Sequence, residues 1–264
     1  MQLTFTSSAC SGVAREHVSS DYVADVTVGD ANIRENGNDV CKAHRTHLIV
    51  ADGVGHESLP ASRKWTLNMA QTAEVCRKHR TLTSVRNAII QNCQHQLQHS
   101  RMLKDGLATT LACATLLDDQ MLVVTNLGDS GVLVLRPSFE LIPVFASKPQ
   151  VAKYNTPYAI ESNGWYLNAM HVSIEMIMPG DIVIVGSDGL FDNLTTEEIV
   201  QVVDVYRARG AKVMAVALTE AARATASSSG KSTPWSRAEA AEYGCREMPR
   251  GKPDDISVAI GVIG

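Results

Sequence analysis

Two apolar runs in this chain end on Asp-Gly. Leu48-Ile-Val-Ala leads into Asp52-Gly53-Val-Gly55, and Ile182-Val-Ile-Val-Gly-Ser leads into Asp188-Gly189-Leu-Phe-Asp192. A third acidic signal, Pro253-Asp254-Asp255, opens the last apolar run at Ile256. A carboxylate at the mouth of a buried strand is held by the sheet yet faces solvent. Three such acids, far apart in sequence, suit a site that gathers oxygen ligands around hard cations such as Mg2+ or Mn2+. Asp-Gly after a strand is also ordinary turn chemistry, so either pair taken alone reads equally well as a turn.

The elements that must position these acids follow from periodicity. Alternation predicts strands over 2–10 and 22–28, and continuous hydrophobicity predicts a strand buried on both faces over 46–51. Helical spacing of Trp65, Met69, Ala73 and Cys76 marks a helix over 60–79, and Val85, Ile89 and Leu97 mark another over 82–103. Period-two segments follow at 109–117 and 121–126, joined by a turn at Asp118-Asp119-Gln120, and at 131–136 and 140–145 around Pro137. Segments 173–178 and 181–186 read as a strand pair around Pro179-Gly180. Thr195 with Glu198 three residues later marks a helix start, so helices are expected over 196–208 and 211–226. A final strand is expected over 255–263. Residues 147–169 read as an ordered flap, and 227–252, rich in Ser, Gly, Pro and charge, as a second long loop. Strands in meanders with paired helices, without regular βαβ alternation, point to an α+β fold. At 264 residues and 45% hydrophobic, the chain is expected to be one domain over 1–264.

Bulk properties exclude several classes. A net charge of −4 argues against a nucleic-acid partner. The six cysteines include no CxxC pair, so zinc-ribbon or redox chemistry is not expected and a reducing, intracellular compartment is, cytoplasmic or mitochondrial. In such a compartment the sequon at Asn193 carries no glycan. There is no run of about 18 apolar residues to span a membrane, and the N-terminus lacks signal-peptide character. His95 and His99 share a helix face without the Glu of a zinc hydrolase motif, which reads as a solvated face. Ser229-Gly-Lys-Ser-Thr233 resembles a phosphate loop, but Thr225 stands where its first Gly is required. Nothing in the pattern specifies an oligomeric state.

The motifs Arg34-Glu-Asn-Gly-Asn38-Asp39, Val50-Ala-Asp52-Gly53, Gly106-Leu-Ala-Thr-Thr110, Asn126-Leu-Gly-Asp129-Ser130, Ser187-Asp188-Gly189-Leu-Phe-Asp192 and Asp254-Asp-Ile-Ser-Val258 occur in an order that resembles the metal-dependent Ser/Thr protein phosphatases of the protein phosphatase 2C family. Tyr154-Asn-Thr-Pro-Tyr158 and Gly251-Lys-Pro-Asp-Asp-Ile256 are similar to a divergent branch that includes mitochondrial phosphatases. The resemblance implies a four-layer α-β-β-α sandwich, two mainly antiparallel sheets flanked by helix pairs. It implies hydrolysis of phosphoserine and phosphothreonine in phosphoprotein substrates by water held between two Mg2+ or Mn2+ ions. It assigns Asp52 to both ions, the Gly53 carbonyl to one, Asp188 and Asp254 to the other, Asp39 through coordinated water, and Asp129 to a weaker third ion. It makes Arg34 the phosphate clamp, a role its planar fork suits.

Two positions depart from the family pattern. Asn38 stands where Glu is usual, which removes a charge and predicts weaker metal affinity. Val54 stands where many members carry the His proposed to protonate the leaving group. His56, two residues on, is the candidate for that role, with water as the alternative. The departures motivate a rival reading, a catalytically weak or inactive phosphatase-fold binding or regulatory module.

Overall fold

The continuous apolar run before Asp52 becomes a strand covered along its whole length, β4 (His47–Ala51), in the computed structural model. The structure describes residues 4–13, 32–55, 59–62, 65, 81–99, 107–117, 120–161 and 165–264, with the side chains of 6, 32–36, 99 and 165 outside that description. The strand expected at 22–28, most of the helix expected at 60–79, the turn at Asp118-Asp119, Gly106 and His56 lie outside the described residues.

Beside β4 lie β3 (Asp39–His44) and β2 (Asn32–Asn36) on one side, and β7 (Leu111–Leu116), β8 (Met121–Leu127) and β14 (His171–Met176) on the other. A second sheet runs β1 (Phe5–Val13), β16 (Ile256–Ile263), β15 (Ile182–Gly186), β9 (Gly131–Pro137), β10 (Leu141–Ala146). Neighbouring strands in both sheets pair antiparallel. Short strands β5 (Gly53–Val54), β6 (Ala108–Thr109) and β13 (Ile160–Glu161) form a small third sheet, and β11 (Val151–Lys153) pairs with β12 (Thr156–Pro157).

Three apolar cores define the layering. Cys41, Leu48, Val50, Val124, Val134 and Val185 fill the space between the two large sheets. Ile49, Trp65, Ile89, Cys113 and Leu127 lie between the first sheet and helix α1 (Leu82–His99). Leu133, Ile184, Ile260, Ile199, Met214 and Leu218 lie between the second sheet and helices α3 (Thr196–Tyr206) and α4 (Ala211–Ala226). The mixed α+β sandwich implied by the resemblance is therefore observed. Each buried Leu, Ile or Val in these cores contributes about 1.5–3 kcal/mol.

The structure differs from the sequence expectations in three places. Segments 173–178 and 181–186 are not a pair: β14 joins β8 in one sheet while β15 joins β9 and β16 in the other. The meander likewise breaks after β8, because Gly128-Asp129-Ser130 carries the chain across to β9 in the opposite sheet. Period-two patterning reports one buried face, not which sheet supplies it. Third, 227–252 is not all loop. It holds helix α5 (Pro234–Tyr243), which Thr233 caps in a reciprocal box with Ser236 and Pro234 starts at its first turn. The Thr195–Glu198 capping box forms as expected.

The Pro179-Gly180 crossover is pinned by Asp181, which is fully buried. Its carboxylate accepts from Arg136 Nε at 2.9 Å, Arg136 Nη2 at 2.8 Å and the Met178 amide at 2.8 Å. Arg136→Met leaves that charge buried with one donor, so it should lower the unfolding free energy by about 3 kcal/mol in urea denaturation. A change below about 0.5 kcal/mol, the size of an ordinary surface substitution, would contradict this account.

Candidate metal centre

The acidic residues come together because the strands that carry them end at one edge of the sandwich. In the β3–β4 pair Val40 faces Ala51, and one step further sets Asp39 beside Asp52. In the β15–β9 and β15–β16 pairs Gly186 faces Gly131 and Val258, so Asp129, Asp188 and Asp254 continue from the matching ends of three neighbouring strands. Asp52, Asp129 and Asp188 each offer a carboxylate oxygen within 4.8 Å of the others. Asp52, Gly53, Asp129, Asp188 and Asp254 line one cleft of about 510 Å³. Its remaining wall includes Val54, Asn155, Trp235, Arg250 and Lys252.

Backbone clamps hold these acids in place. The Asp52 carbonyl accepts from Thr110 N at 2.8 Å and Thr109 Oγ1 at 2.9 Å, and Thr110 Oγ1 meets Ser130 Oγ at 2.7 Å. The Thr109-Thr110 motif thus ties the strand end bearing Asp52 to the crossover bearing Asp129. Asp188 opens the short helix α2 (Asp188–Phe191). Before it, buried Ser187 exchanges hydrogen bonds with Ser257, both at 3.0 Å, locking β15 to β16. Gly189 follows because a Cβ there would collide with the Asp255 carbonyl.

Burial and mutual repulsion raise the carboxyl pKa values. Asp39 is raised well above the ordinary range, by burial first and then by the charge of Asp255. Asp52 and Ser187 stand close enough to offset part of that rise, yet neither Asp39 oxygen completes a hydrogen bond. Asp52 is also raised well above its usual value, by burial and then by Asp39, Asp188 and Asp129. Asp129 rises to about 8, again by burial and then by Asp188, and its buried Oδ1 has no hydrogen-bond partner. Buried carboxylate oxygens without donors cost free energy unless a cation satisfies them. This donor set is all oxygen, which fits Mg2+ or Mn2+.

Not every expected ligand stands free for such a cation. Asp254 Oδ2 lies 3.0 Å from Lys252 Nζ, and its Oδ1 accepts from the Asp255 amide at 3.0 Å. Lys252 Nζ also contacts Asp188 Oδ2 and, at 2.9 Å, Asp192 Oδ2. Burial followed by Asp188 raises Asp254 to about 6, with Lys252 opposing. Asp192 reaches about 6 by burial, with Lys252 again opposing and Asp188 adding to the rise. Lys252 itself is pulled towards neutrality by burial, but the three carboxylates outweigh that and raise its pKa. Asn38 donates Nδ2 to the Gly55 carbonyl at 3.3 Å, and its amide donates to Asp255 Oδ2 at 2.8 Å. Arg34 sits in β2 opposite Cys41; its side chain, like His56, lies outside the described residues.

Lys252, Asp192, Trp235 and Arg250 are site residues that sequence reasoning missed. Asp192 does support the turn, as its type suggests, through its amide to the Asp188 carbonyl at 2.7 Å, but its carboxylate also meets Lys252. Lys252 lies inside a recognisable motif, yet a lone lysine reads as surface charge. Trp235 and Arg250 stack, with the guanidinium 4.5 Å from the ring centroid, and the Thr233-Pro234 helix start was the only signal for that wall.

The sequence profile described as protein phosphatase 2C matches residues 28–226. "Probable protein phosphatase 2C 55" of Arabidopsis thaliana is 33% identical over 240 residues, covering 87% of this chain and 48% of that protein. "Protein phosphatase PTC7 homolog fig" of Drosophila simulans is 27% identical, covering 68% of this chain and 60% of that protein. The chain therefore spans about half to three fifths of these curated relatives. Among solved structures, the photosystem II phosphatase PBCP superposes with a TM-score of 0.70 at 21% identity, covering 99% of both chains. The catalytic domain of the serine threonine protein phosphatase PstP, solved with two manganese ions, gives 0.62 at 17% identity, also covering 99% of both chains. At these identities the structures show a shared fold.

The raised carboxyl pKa values have a definite sign. A folded-state pKa above the unfolded value means that the folded state binds the proton more tightly. Stability is then highest at low pH and is lost as pH rises towards the folded pKa, here about 8 for Asp129 and about 6 for Asp192 and Asp254. In a chelator, the contributions of Asp192 and Asp254 should be largely lost by pH 6, and Asp129 should make unfolding free energy fall by about 1.4 kcal/mol per pH unit between pH 6 and its folded pKa of about 8. Saturating Mn2+ should abolish or reverse that slope, because the ion displaces the protons. Equal slopes with and without metal in pH-resolved denaturation would contradict a cation site.

Proposed function

The chain belongs to the protein phosphatase 2C family, and we propose that it hydrolyses phosphoserine and phosphothreonine in protein substrates with two Mg2+ or Mn2+ ions. The observation that carries the reading is the convergence of Asp52, Asp129 and Asp188, with oxygens within 4.8 Å of one another, beside the unsatisfied carboxylate of Asp39. When bound, the ions supply Lewis-acid charge that activates water and screens the phosphoryl group.

The family resemblance supplies the roles of the chain's own groups in this reading. Asp52 would serve both ions, with the Gly53 carbonyl on one; Asp188 and Asp254 would hold the other, and Asp39 would act through an intervening water. Asp129, at the crossover, would hold a weaker third ion. Arg34 clamps two phosphate oxygens through its planar fork and orients the phosphorus for in-line attack. No protein nucleophile is needed. The leaving alkoxide takes its proton from His56 or from water. The cleft wall of Asn155, Trp235 and Arg250 faces the residues that flank the phosphorylated side chain. Cys10, Cys41, Cys93, Cys113 and Cys245 form no disulfide, which is compatible with a reducing compartment, cytoplasmic or mitochondrial. Among the described residues no helix is long and apolar enough to cross a membrane.

Asp52→Asn and Asp188→Asn should each lower turnover of an aryl phosphate and of a phosphopeptide in Mn2+ by at least about a hundredfold, with circular dichroism unchanged. Full turnover in either variant would defeat the assignment. Mn2+ binding without turnover in the unmutated protein would favour the binding module that Asn38 and Val54 motivate. Activity on phosphorylated metabolites but not phosphopeptides would replace the substrate class.

A further inference from the structure

Lys252 is placed with more care than a surface lysine. The amide of buried Asn193 grips its backbone at both ends: Lys252 N donates to Asn193 Oδ1 and Asn193 Nδ2 donates to the Lys252 carbonyl, each at 2.9 Å. A third bond, Asn193 Nδ2 to the Gly189 carbonyl at 2.9 Å, ties this grip to the turn that carries Asp188. The preceding residue must be glycine, because a Cβ at Gly251 would collide with the Thr225 carbonyl at the end of α4. Pro253 stiffens the following link to Asp254.

From this fixed backbone the ammonium reaches Asp188, Asp192 and Asp254. An ammonium has three N–H donors and no acceptor, and here each has its own carboxylate. It has no donor left for a substrate and its charge is retained, so neither proton transfer nor nucleophilic attack suits it. What it supplies is positive charge, at the two carboxylates that the proposed function assigns to one of the two ions. The third partner, Asp192, has a side chain 30% accessible, more than Asp188 at 11% and level with Asp254 at 29%; what sets it apart is that the proposed function assigns it to neither ion. The lysine stem has rotatable bonds, so the ammonium can keep Asp192 while releasing the other two.

Resting on the phosphatase reading above, we propose that Lys252 is a tethered cation that holds Asp188 and Asp254 together in the metal-free protein and competes there with one of the two divalent ions. Asp192 is its anchor when the ion enters. The two ion positions are therefore unequal: the one on the Asp52 and Asp39 side has no resident competitor among the described residues, and the one at Asp188 and Asp254 does.

The test is Mn2+ titration of the full chain, followed by the electron paramagnetic resonance of free Mn2+, for the unmutated protein and Lys252→Met. In the unmutated protein one Mn2+ should bind at least tenfold more tightly than the second. In Lys252→Met the second affinity should rise and the gap should close by at least fivefold. Two equal affinities in the unmutated protein overturn the proposal without any variant, so a folding defect in Lys252→Met cannot shelter it. An unchanged or wider gap in a folded Lys252→Met also overturns it, showing that the lysine only supports the ligands. If Mn2+ binds and phosphopeptide turns over but the gap is unaltered, this inference fails and the phosphatase reading stands. Absence of Mn2+ binding in both proteins overturns both.

Discussion

Like charges cannot be crowded into a cleft of low dielectric without a counter-ion, and this constraint governs the site. Unit charges about 5 Å apart, the outer limit for the nearest oxygens of Asp52, Asp129 and Asp188, repel by about 3 kcal/mol at an effective dielectric near 20. Three such pairs among Asp52, Asp129 and Asp188 would approach roughly 10 kcal/mol, comparable to the whole stability of a typical domain, about 5–15 kcal/mol. The cluster cannot stand fully ionised by itself. It takes up protons, as the raised pKa values express, or it takes up cations. Lys252 provides one fixed positive charge on one flank. The unsatisfied oxygens of Asp39 and Asp129 mark where more is wanted.

The fold makes that crowding possible by fixing strand ends. Two antiparallel sheets packed face to face bury most of the residues that hold the cluster, and their ends meet at one edge. Asp39 and Asp52 come from adjacent strands of one sheet, Asp188 and Asp254 from adjacent strands of the other, and Asp129 from the link between sheets. Thr110, Ser187 and Asn193, all buried, join these ends by hydrogen bonds. Such residues touch no substrate, but they hold the carboxylates close enough to act as a unit. Rigid placement of this kind keeps a charged site from relieving its own strain by spreading apart.

One of the two departures from the family pattern, Asn38, changes the charge of the site, and the neighbouring Asp255 and Lys252 set how that charge is distributed. Asn38 replaces a carboxylate and uses its amide to brace the Gly55 carbonyl. Asp255 supplies a carboxylate from a different part of the chain, accepting from the Asn38 amide and contributing to the raised pKa of Asp39. Lys252 adds a cation. The net effect is a site whose negative charge is redistributed, from the Asn38 turn towards the Asp255 segment, and partly neutralised on the Asp188 flank. Metal affinity and selectivity follow from such a distribution as much as from the ligand set itself.

Much of this was legible in the sequence. Apolar runs ending on Asp-Gly, a capping box at Thr195 and an ordered series of short motifs identify strand ends, a helix start and a family, because each depends on neighbours a few residues away. The pairing of strands was not legible: β14 and β15 look like one hairpin and belong to different sheets, since alternation shows that a face is buried but not by what. The helix at 234–243 was hidden in a polar stretch where a weak Thr-Pro start competes with composition. Lys252 was invisible as a site residue for the same kind of reason. The chain by itself determined which acids could gather at strand ends. Only long-range register, through Asn193 and the β15–β16 pairing, decided that a lysine side chain would stand among three of them, because the field at a point depends on every charge near it in space and on none merely near it in sequence.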